Sequence, residues 1–357
     1  MSKTEFEKEI RKMRKNKFGN LTDFVYHIFE NTDFHSWDEK RMSANASQMI
    51  TELRSKCWEE YKKIEEEFGK TLLTELVDKE IEKLKIEDMP AKEFISGHYD
   101  DIYNLSLSNT QARRTRSGGE FETILEIALL WSGLPVDYQA NIGLKIFDNY
   151  GLKKQMDLVV PGVQEFEIDN NKTVVISMKT TLRERHQEVN DEKKSVSAAK
   201  IYLATMDIAL SLNLLKSIKS NNIILVTTKD NISKLKDKNK EQLDKKKSRL
   251  SREKDPMKID KLSKEIDDEE KKKENIESNV IPFEELIKVC KDNMNDKWNE
   301  YDYSRYKDII ARNYNLQIAK HKNHREILRH YKKRIDKLGI FDSLNEDSKS
   351  IMEEALK

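Results

Sequence analysis

Cysteine is almost missing from this chain: Cys57 and Cys290, far apart, are the only two in 357 residues. They provide neither a disulfide framework nor the paired spacing of a zinc site. Long apolar runs are also missing, and the N-terminal residues are charged throughout, so no signal peptide or membrane span is expected and a cytoplasmic, soluble protein is. Net charge is close to zero as well, 66 basic residues against 65 acidic, although 37% of the chain is charged. Composition therefore does not advertise a polyanionic partner, and any such partner has to be met by local clusters. The length fits one elaborated domain or two small ones, ample for a core.

Against these absences stand two short β-branched runs, Met156-Asp157-Leu158-Val159-Val160 and Thr173-Val174-Val175-Ile176-Ser177-Met178-Lys179. The turn-forming Asp169-Asn170-Asn171-Lys172 lies between them, which predicts an antiparallel hairpin. Alternation along a strand sends Val174, Ile176 and Met178 to one face and Val175, Ser177 and Lys179 to the other. By itself, Lys179 reads as a solvated strand end sooner than as a functional residue. Directly after it come Thr180-Thr181-Leu182 and the charged triplet Arg183-Glu184-Arg185.

These residues resemble the PD-(D/E)xK restriction endonucleases, and within them the group of EcoRII, PspGI and SsoII, whose members cut CC/GG-type sites. In that group a small residue replaces the acid two positions before the lysine, and a glutamate thirteen residues beyond the lysine compensates. Ser177 occupies the vacated position, Glu192 the compensating one, and Asp157 stands twenty-two residues before Lys179 as the first acid. The resemblance is firm over about residues 110–200. His186 departs from it, standing where the group has tryptophan.

The resemblance implies a Type II endonuclease hydrolysing double-stranded DNA with Mg²⁺. The chemistry accounts for the residue types, since phosphodiester hydrolysis needs a hydroxide nucleophile near neutral pH and relief of charge on the phosphorus. Mg²⁺ prefers hard oxygens, which Asp157, Glu192 and the main-chain carbonyl of Met178 offer, while Lys179 orients the attacking water. A further catalytic acid is expected at Glu122, in preference to Glu126, on a helix opening near Ser117; first-turn acids complementing the helix dipole are the other reading. Arg183 and Arg185 suit guanine O6 and N7 in the major groove, and Glu184 suits cytosine N4. The resemblance also reaches Gln111, Arg54 and Trp58, which would handle the flipped bases at the centre of the site; Trp58 equally suits an ordinary buried helix position. Arg113-Arg114-Thr115-Arg116 and residues 320–334 are candidate phosphate contacts or solvated helix faces.

The expected fold is α/β, a mixed central sheet flanked by helices in the PD-(D/E)xK manner. Its parts are a helical N-terminal region contacting DNA (1–105), a nuclease core (106–228), an inserted charged helical hairpin (229–278), and the end of the core with a basic helical C-terminal region (279–357). Residues 104–109 read as a loop, and Ala198, Ile201, Tyr202, Thr205 and Ile208 as one stripe of a helix from about 184 to 215. Residues 222–228 read as a buried strand. Between 229 and 278 there is no glycine, lysine dominates, and sparse apolar positions flank Pro256, as in two antiparallel helices. Such an arm is either an inert solvated coiled coil or a DNA clamp.

The whole reads as a homodimeric restriction endonuclease for CCNGG, because a palindrome calls for a two-fold dimer. A DNA methyltransferase is expected in the same system, without physical contact. The alternative is a sequence-specific DNA-binding protein that does not cut, against which Asp157, Lys179 and Glu192 speak.

Overall fold

A computed structural model describes residues 3–84, 89–182, 196 and 198–355. They form two compact units, one of residues 1–32 and 52–124, the other of residues 33–51 and 125–357.

The first unit is helical. Its helices are Lys3–Phe18, Leu21–Glu30, most of Ala46–Leu84, Ala91–Gly97 and most of Tyr99–Trp131. Apolar faces meet in a core of Ile10, Phe18, Tyr61, Phe68, Leu72, Leu76 and Leu105. Residues 104–109, expected as a loop, are helical and continuous with the segment holding Glu122. The expectation rested on the polar run Asn104–Asn109, but Leu105 is buried in this core and Ser108 and Asn109 accept from Arg14, so tertiary packing overrides weak local propensity.

The second unit is built on a six-stranded mixed sheet, β1 (Asp137–Tyr138), β2 (Leu158–Val160), β3 (Val174–Lys179), β4 (Ile201–Thr205), β5 (Ile223–Thr227) and β6 (Val280–Pro282), in that spatial order. The predicted antiparallel pairing of β2 with β3 is present, with Leu158 opposite Ile176 and Val160 opposite Val174; its connection also carries a short helix, Val163–Ile168. From β3 to β6 every pairing is parallel. Helices cover both faces of such strands, which is why β3 and β4 are buried at every position.

That burial explains a correction. Residues 201–205 are a strand and not part of a helix: an unbroken apolar run has no polar face, so its members fall on helical spacings by coincidence. Helix follows only at Leu212–Ser220, where Ser211 caps the first turn through Leu214 N–H.

The lysine-rich segment is the expected pair of helices, Lys229–Leu250 and Pro256–Asn279, running from the end of β5 to the start of β6. Thr228 caps the first, accepting from Asn231 N–H; Asp255 caps the second, accepting from Met257 N–H, with Pro256 in its first turn. The base of this arm is part of the fold, since Leu235 and Ile276 join the sheet core with Leu214, Ile218 and Leu225. Farther out, buried Asn239 donates to the Glu269 main chain and carboxylate, and Lys246 pairs with the same carboxylate at 3.0 Å. Among the described residues no helix is long and apolar enough to cross a membrane.

Ile276 is fully enclosed at the base of the arm, whereas Met257 at its tip is 84% exposed. Ile276→Ala should lower the unfolding free energy by about 2–5 kcal/mol, and Met257→Ala should change it by less than about 0.5 kcal/mol. Urea unfolding followed by circular dichroism measures both, and equal small effects would mean that the whole arm is an appendage.

Candidate active site

The site lies where β2 and β3 part. Asp157 immediately precedes β2, donating its N–H to the Ile176 carbonyl and accepting through its own carbonyl from Gln139 N–H, both at 2.9 Å. With the main chain fixed on two sides, the carboxylate turns to β3: Oδ2 accepts from the Met178 N–H at 2.6 Å. Lys179 Nζ stands 3.9 Å from the same oxygen, and both residues are 8% exposed. Lys179 is therefore no solvated strand end; its ammonium is buried against a carboxylate. Two expected site residues are thus in contact, and the third, Met178, provides the amide that holds the acid.

Ser177 is fully buried, and its hydroxyl has no hydrogen-bond partner among the described residues. The buried Asp157 carboxylate and the Met178 main-chain carbonyl are hard-oxygen donors, of the kind that fits Mg²⁺ better than a softer ion. Among the described residues no group of three or more acidic, histidine or cysteine side chains gathers as a metal cage. Glu192 lies outside the described residues, as do Arg183, Glu184, Arg185 and His186.

What is described is the point from which the Arg183-Glu184-Arg185 triplet departs. Leu182 is buried in the sheet core, and its N–H donates to Asp207 Oδ2 at 2.9 Å. Asp207 also accepts from Ala209 N–H through Oδ1 and donates its own N–H to Thr205 Oγ1, and Thr205 is the β4 partner of Lys179. Asp207 thus ties the chain beyond the lysine to the end of the neighbouring strand. Motif reasoning passed over it; the aspartate two residues after a strand-ending threonine, a turn-forming pattern, was the available signal.

Within the first unit, Trp58 is 39% exposed, so the ordinary buried position does not hold. Its indole stacks on Tyr61 at 5.9 Å between centroids, with Lys62 Nζ 5.2 Å from the ring. Arg54 donates to Ser117 Oγ at 3.1 Å and lies over the Phe121 ring; burial lowers its pKa, opposed by the Glu120 carboxylate. Gln111 is exposed on the helix Tyr99–Trp131, and Glu122 is half-buried on it. Glu126 is fully buried, accepting from Asn141 Nδ2 at 2.6 Å beside His321.

The basic clusters divide. Arg113 pairs with buried Glu65 while half of its side chain stays in solvent, whereas Arg116 is enclosed, paired with buried Glu120 and lying 4.0 Å from the Phe24 ring, so Arg116 is not a solvated phosphate contact. Arg114 between them is exposed. In residues 320–334, Arg334 is buried against Glu165 and Tyr303, and His321 and His324 are buried too.

Residues 75–245 match the family model described as EcoRII C terminal. Over 347 residues, 96% of this chain and 99% of the other, the sequence is 31% identical to the Type II restriction enzyme SsoII of Shigella sonnei. The chain belongs to the SsoII family of Type II restriction endonucleases. Metal-depleted Ecl18kI in complex with uncleaved DNA superposes with a TM-score of 0.75 at 29% identity, covering 94% of this chain and all of that one. The PspGI–substrate DNA complex, at 15% identity and a TM-score of 0.52 over 79% of this chain and 95% of that one, shares the fold. The resemblance read from the Asp157, Ser177 and Lys179 motifs is thereby borne out, and as a member of this family the chain is a nuclease.

Asp207→Ala removes the acceptor of two main-chain N–H groups beside the site. We expect a loss of about 1–3 kcal/mol in unfolding free energy, measured in urea. A variant as stable as wild type would show that the Leu182 contact is replaced by solvent at no cost.

Proposed function

We propose that this nuclease hydrolyses both strands of a CC/GG-type palindrome, CCNGG, as a homodimer that uses Mg²⁺. The observation that carries the reading is the buried Asp157 carboxylate held by Met178 N–H with Lys179 Nζ 3.9 Å away. That Ecl18kI is found on uncleaved DNA when depleted of metal supports a metal requirement for the shared scaffold.

In this reading Asp157, Glu192 and the Met178 carbonyl hold the ion, which when bound acidifies water and offsets phosphate charge. Lys179 does the chain's own part of the chemistry. Its ammonium donates to the attacking water, fixing a lone pair toward phosphorus, and balances negative charge as the phosphate becomes five-coordinate. The Asp157 carboxylate and the Lys179 ammonium face each other in a nearly closed environment, 3.9 Å apart. Glu122 is the additional acid.

Specificity falls to the residues beyond Leu182. Arg183 and Arg185 fork onto guanines, and Glu184 accepts from a cytosine amino group. Gln111, Arg54 and the exposed Trp58 ring take the central base pair, whose bases leave the stack, with Trp58 as a stacking surface. Double-stranded DNA is the substrate, and a methyltransferase of the same specificity protects host sites.

Asp157→Ala, Lys179→Ala and Glu192→Ala should each abolish most cleavage of a CCNGG duplex in Mg²⁺ while binding in Ca²⁺ remains measurable by gel shift. Near-wild-type turnover by Glu192→Ala would remove the relocated acid from the site and make Glu188 the next candidate.

Arg183→Ala or Arg185→Ala should weaken cognate binding by about 1–3 kcal/mol and leave random-sequence binding nearly unchanged. On the same duplex with a central 2-aminopurine, binding should raise fluorescence, and Trp58→Ala should raise it further by removing a quencher. Equal losses on cognate and random DNA would make the arginines phosphate contacts, and identical probe responses would take Trp58 away from the flipped base.

A further inference from the structure

The peptide planes on the two sides of the Asp157 Cα are both pinned, and one residue supplies two of the pins. The Met156 carbonyl accepts from Gln139 Nε2 at 2.9 Å, and the N–H of the same peptide plane donates to the Ile176 carbonyl. On the other side, the Asp157 carbonyl accepts from the Gln139 main-chain N–H. Gln139 Nε2 also reaches the Lys154 and Lys153 carbonyls, at 3.4 and 3.5 Å, in the turn that leads into β2. Because each plane is rigid, fixing both of them fixes φ and ψ of Asp157 and the direction in which its carboxylate leaves the main chain.

Gln139 is itself held from behind. It follows β1, where Tyr138 stands opposite Leu158, and opens the single helical turn Gln139–Ile142. The Gly143 N–H closes that turn on the Gln139 carbonyl at 2.8 Å, with Gly143 at a φ of +97° that favours glycine. Within the turn, Asn141 Nδ2 donates to Glu126 Oε1 at 2.6 Å and lies 3.0 Å from His321 Nε2. Glu126 and His321 are fully enclosed, so the turn is anchored in the interior by polar groups that satisfy one another. A chain of hydrogen bonds thus runs from the buried Glu126 through Asn141 and the Gln139 turn to the backbone of Asp157.

We propose that Gln139 is a positioning residue for the cleavage reaction: it holds the two peptide planes of Asp157 and thereby aims the carboxylate at the metal position. The proposal deepens the reading of Asp157 as a metal-binding acid and rests on it. Gln139 acts only through Asp157, in the way that groups orienting a ligating carboxylate act in metal sites generally, where losing one costs roughly 10–100-fold in metal affinity or activity.

The test uses the full chain. Gln139→Met keeps the length of the side chain and removes its donor, whereas Gln139→His places a ring N–H at a similar reach. In single-turnover cleavage of a CCNGG duplex with Mg²⁺, Gln139→Met should be slower by roughly 10–100-fold. Binding of Mn²⁺ to the complex with a duplex carrying a phosphorothioate at the scissile position, read by electron paramagnetic resonance of the free ion, should weaken by a similar factor. Affinity for the duplex without metal, and the melting temperature, should stay near wild type, and Gln139→His should recover most of the rate and of the Mn²⁺ affinity. Wild-type rate and Mn²⁺ affinity in Gln139→Met overturn the proposal. Equal losses in the methionine and histidine variants, with a matching fall in melting temperature, also overturn it and make Gln139 a packing residue. Should Gln139→Met not fold, Gln139→Ser, which withdraws the donor without setting an apolar chain against the carbonyls, is judged on the same criteria. Wild type and Asp157→Ala bracket the assay. Cleavage by Asp157→Ala refutes the reading of Asp157 itself, whereas an inert Asp157→Ala beside a fully active Gln139→Met refutes the positioning role alone.

Discussion

The hydrogen bond from the Met178 N–H to the Asp157 carboxylate organises the site. It forms where β2 and β3 diverge, so the backbone amide satisfies an acid that the fold has carried out of solvent. A carboxylate in that position costs several kcal/mol to desolvate unless it is paired, and the Lys179 ammonium completes the pairing. The lysine is in turn aligned by parallel pairing with β4, opposite Thr205. Sheet register therefore sets the relation between acid and lysine, and neither depends on a free side-chain rotamer alone.

The near-neutral charge of the chain has a structural meaning. Several arginines and lysines that look like a polyanion-binding surface in the sequence are consumed internally: Arg113 and Arg116 by buried glutamates, Arg334 by Glu165, Lys246 by Glu269. All but the Arg116–Glu120 pair, which lies within one helix, join different helices, and removing one partner would strand a buried charge. A count of lysine and arginine therefore overstates the positive charge that is free to meet a ligand.

Much of this was legible in the sequence because the relevant signals are local. The β-branched runs at Leu158–Val160 and Val174–Lys179, the turn residues between them, and the break at Pro256 determine structure through neighbours a few residues away. The errors arose where distant packing decides. Ile201–Thr205 is a strand because helices and neighbouring strands enclose it, and residues 104–109 are helical because Leu105 is buried among residues far off in the chain. Trp58 shows the same limit, since a tryptophan in a helix gives no local sign of which way it faces, and here it faces outward against Tyr61. Asp207 was invisible for a related reason: its importance lies in a hydrogen bond to Leu182, reached across two strand ends.

The helical arm between β5 and β6 has a consequence for the order in which the sheet assembles. Parallel strands must be brought together over a long stretch of chain, here with Leu225 aligned on Val280, and such pairings form slowly when the intervening chain is disordered. The arm removes most of that burden. Its two helices pair through contacts that are close in sequence around Pro256, and once they have zipped down to Leu235 and Ile276 the ends of β5 and β6 are already neighbours. A segment that seems a decoration on the finished molecule thereby turns a long-range closure into a succession of short ones.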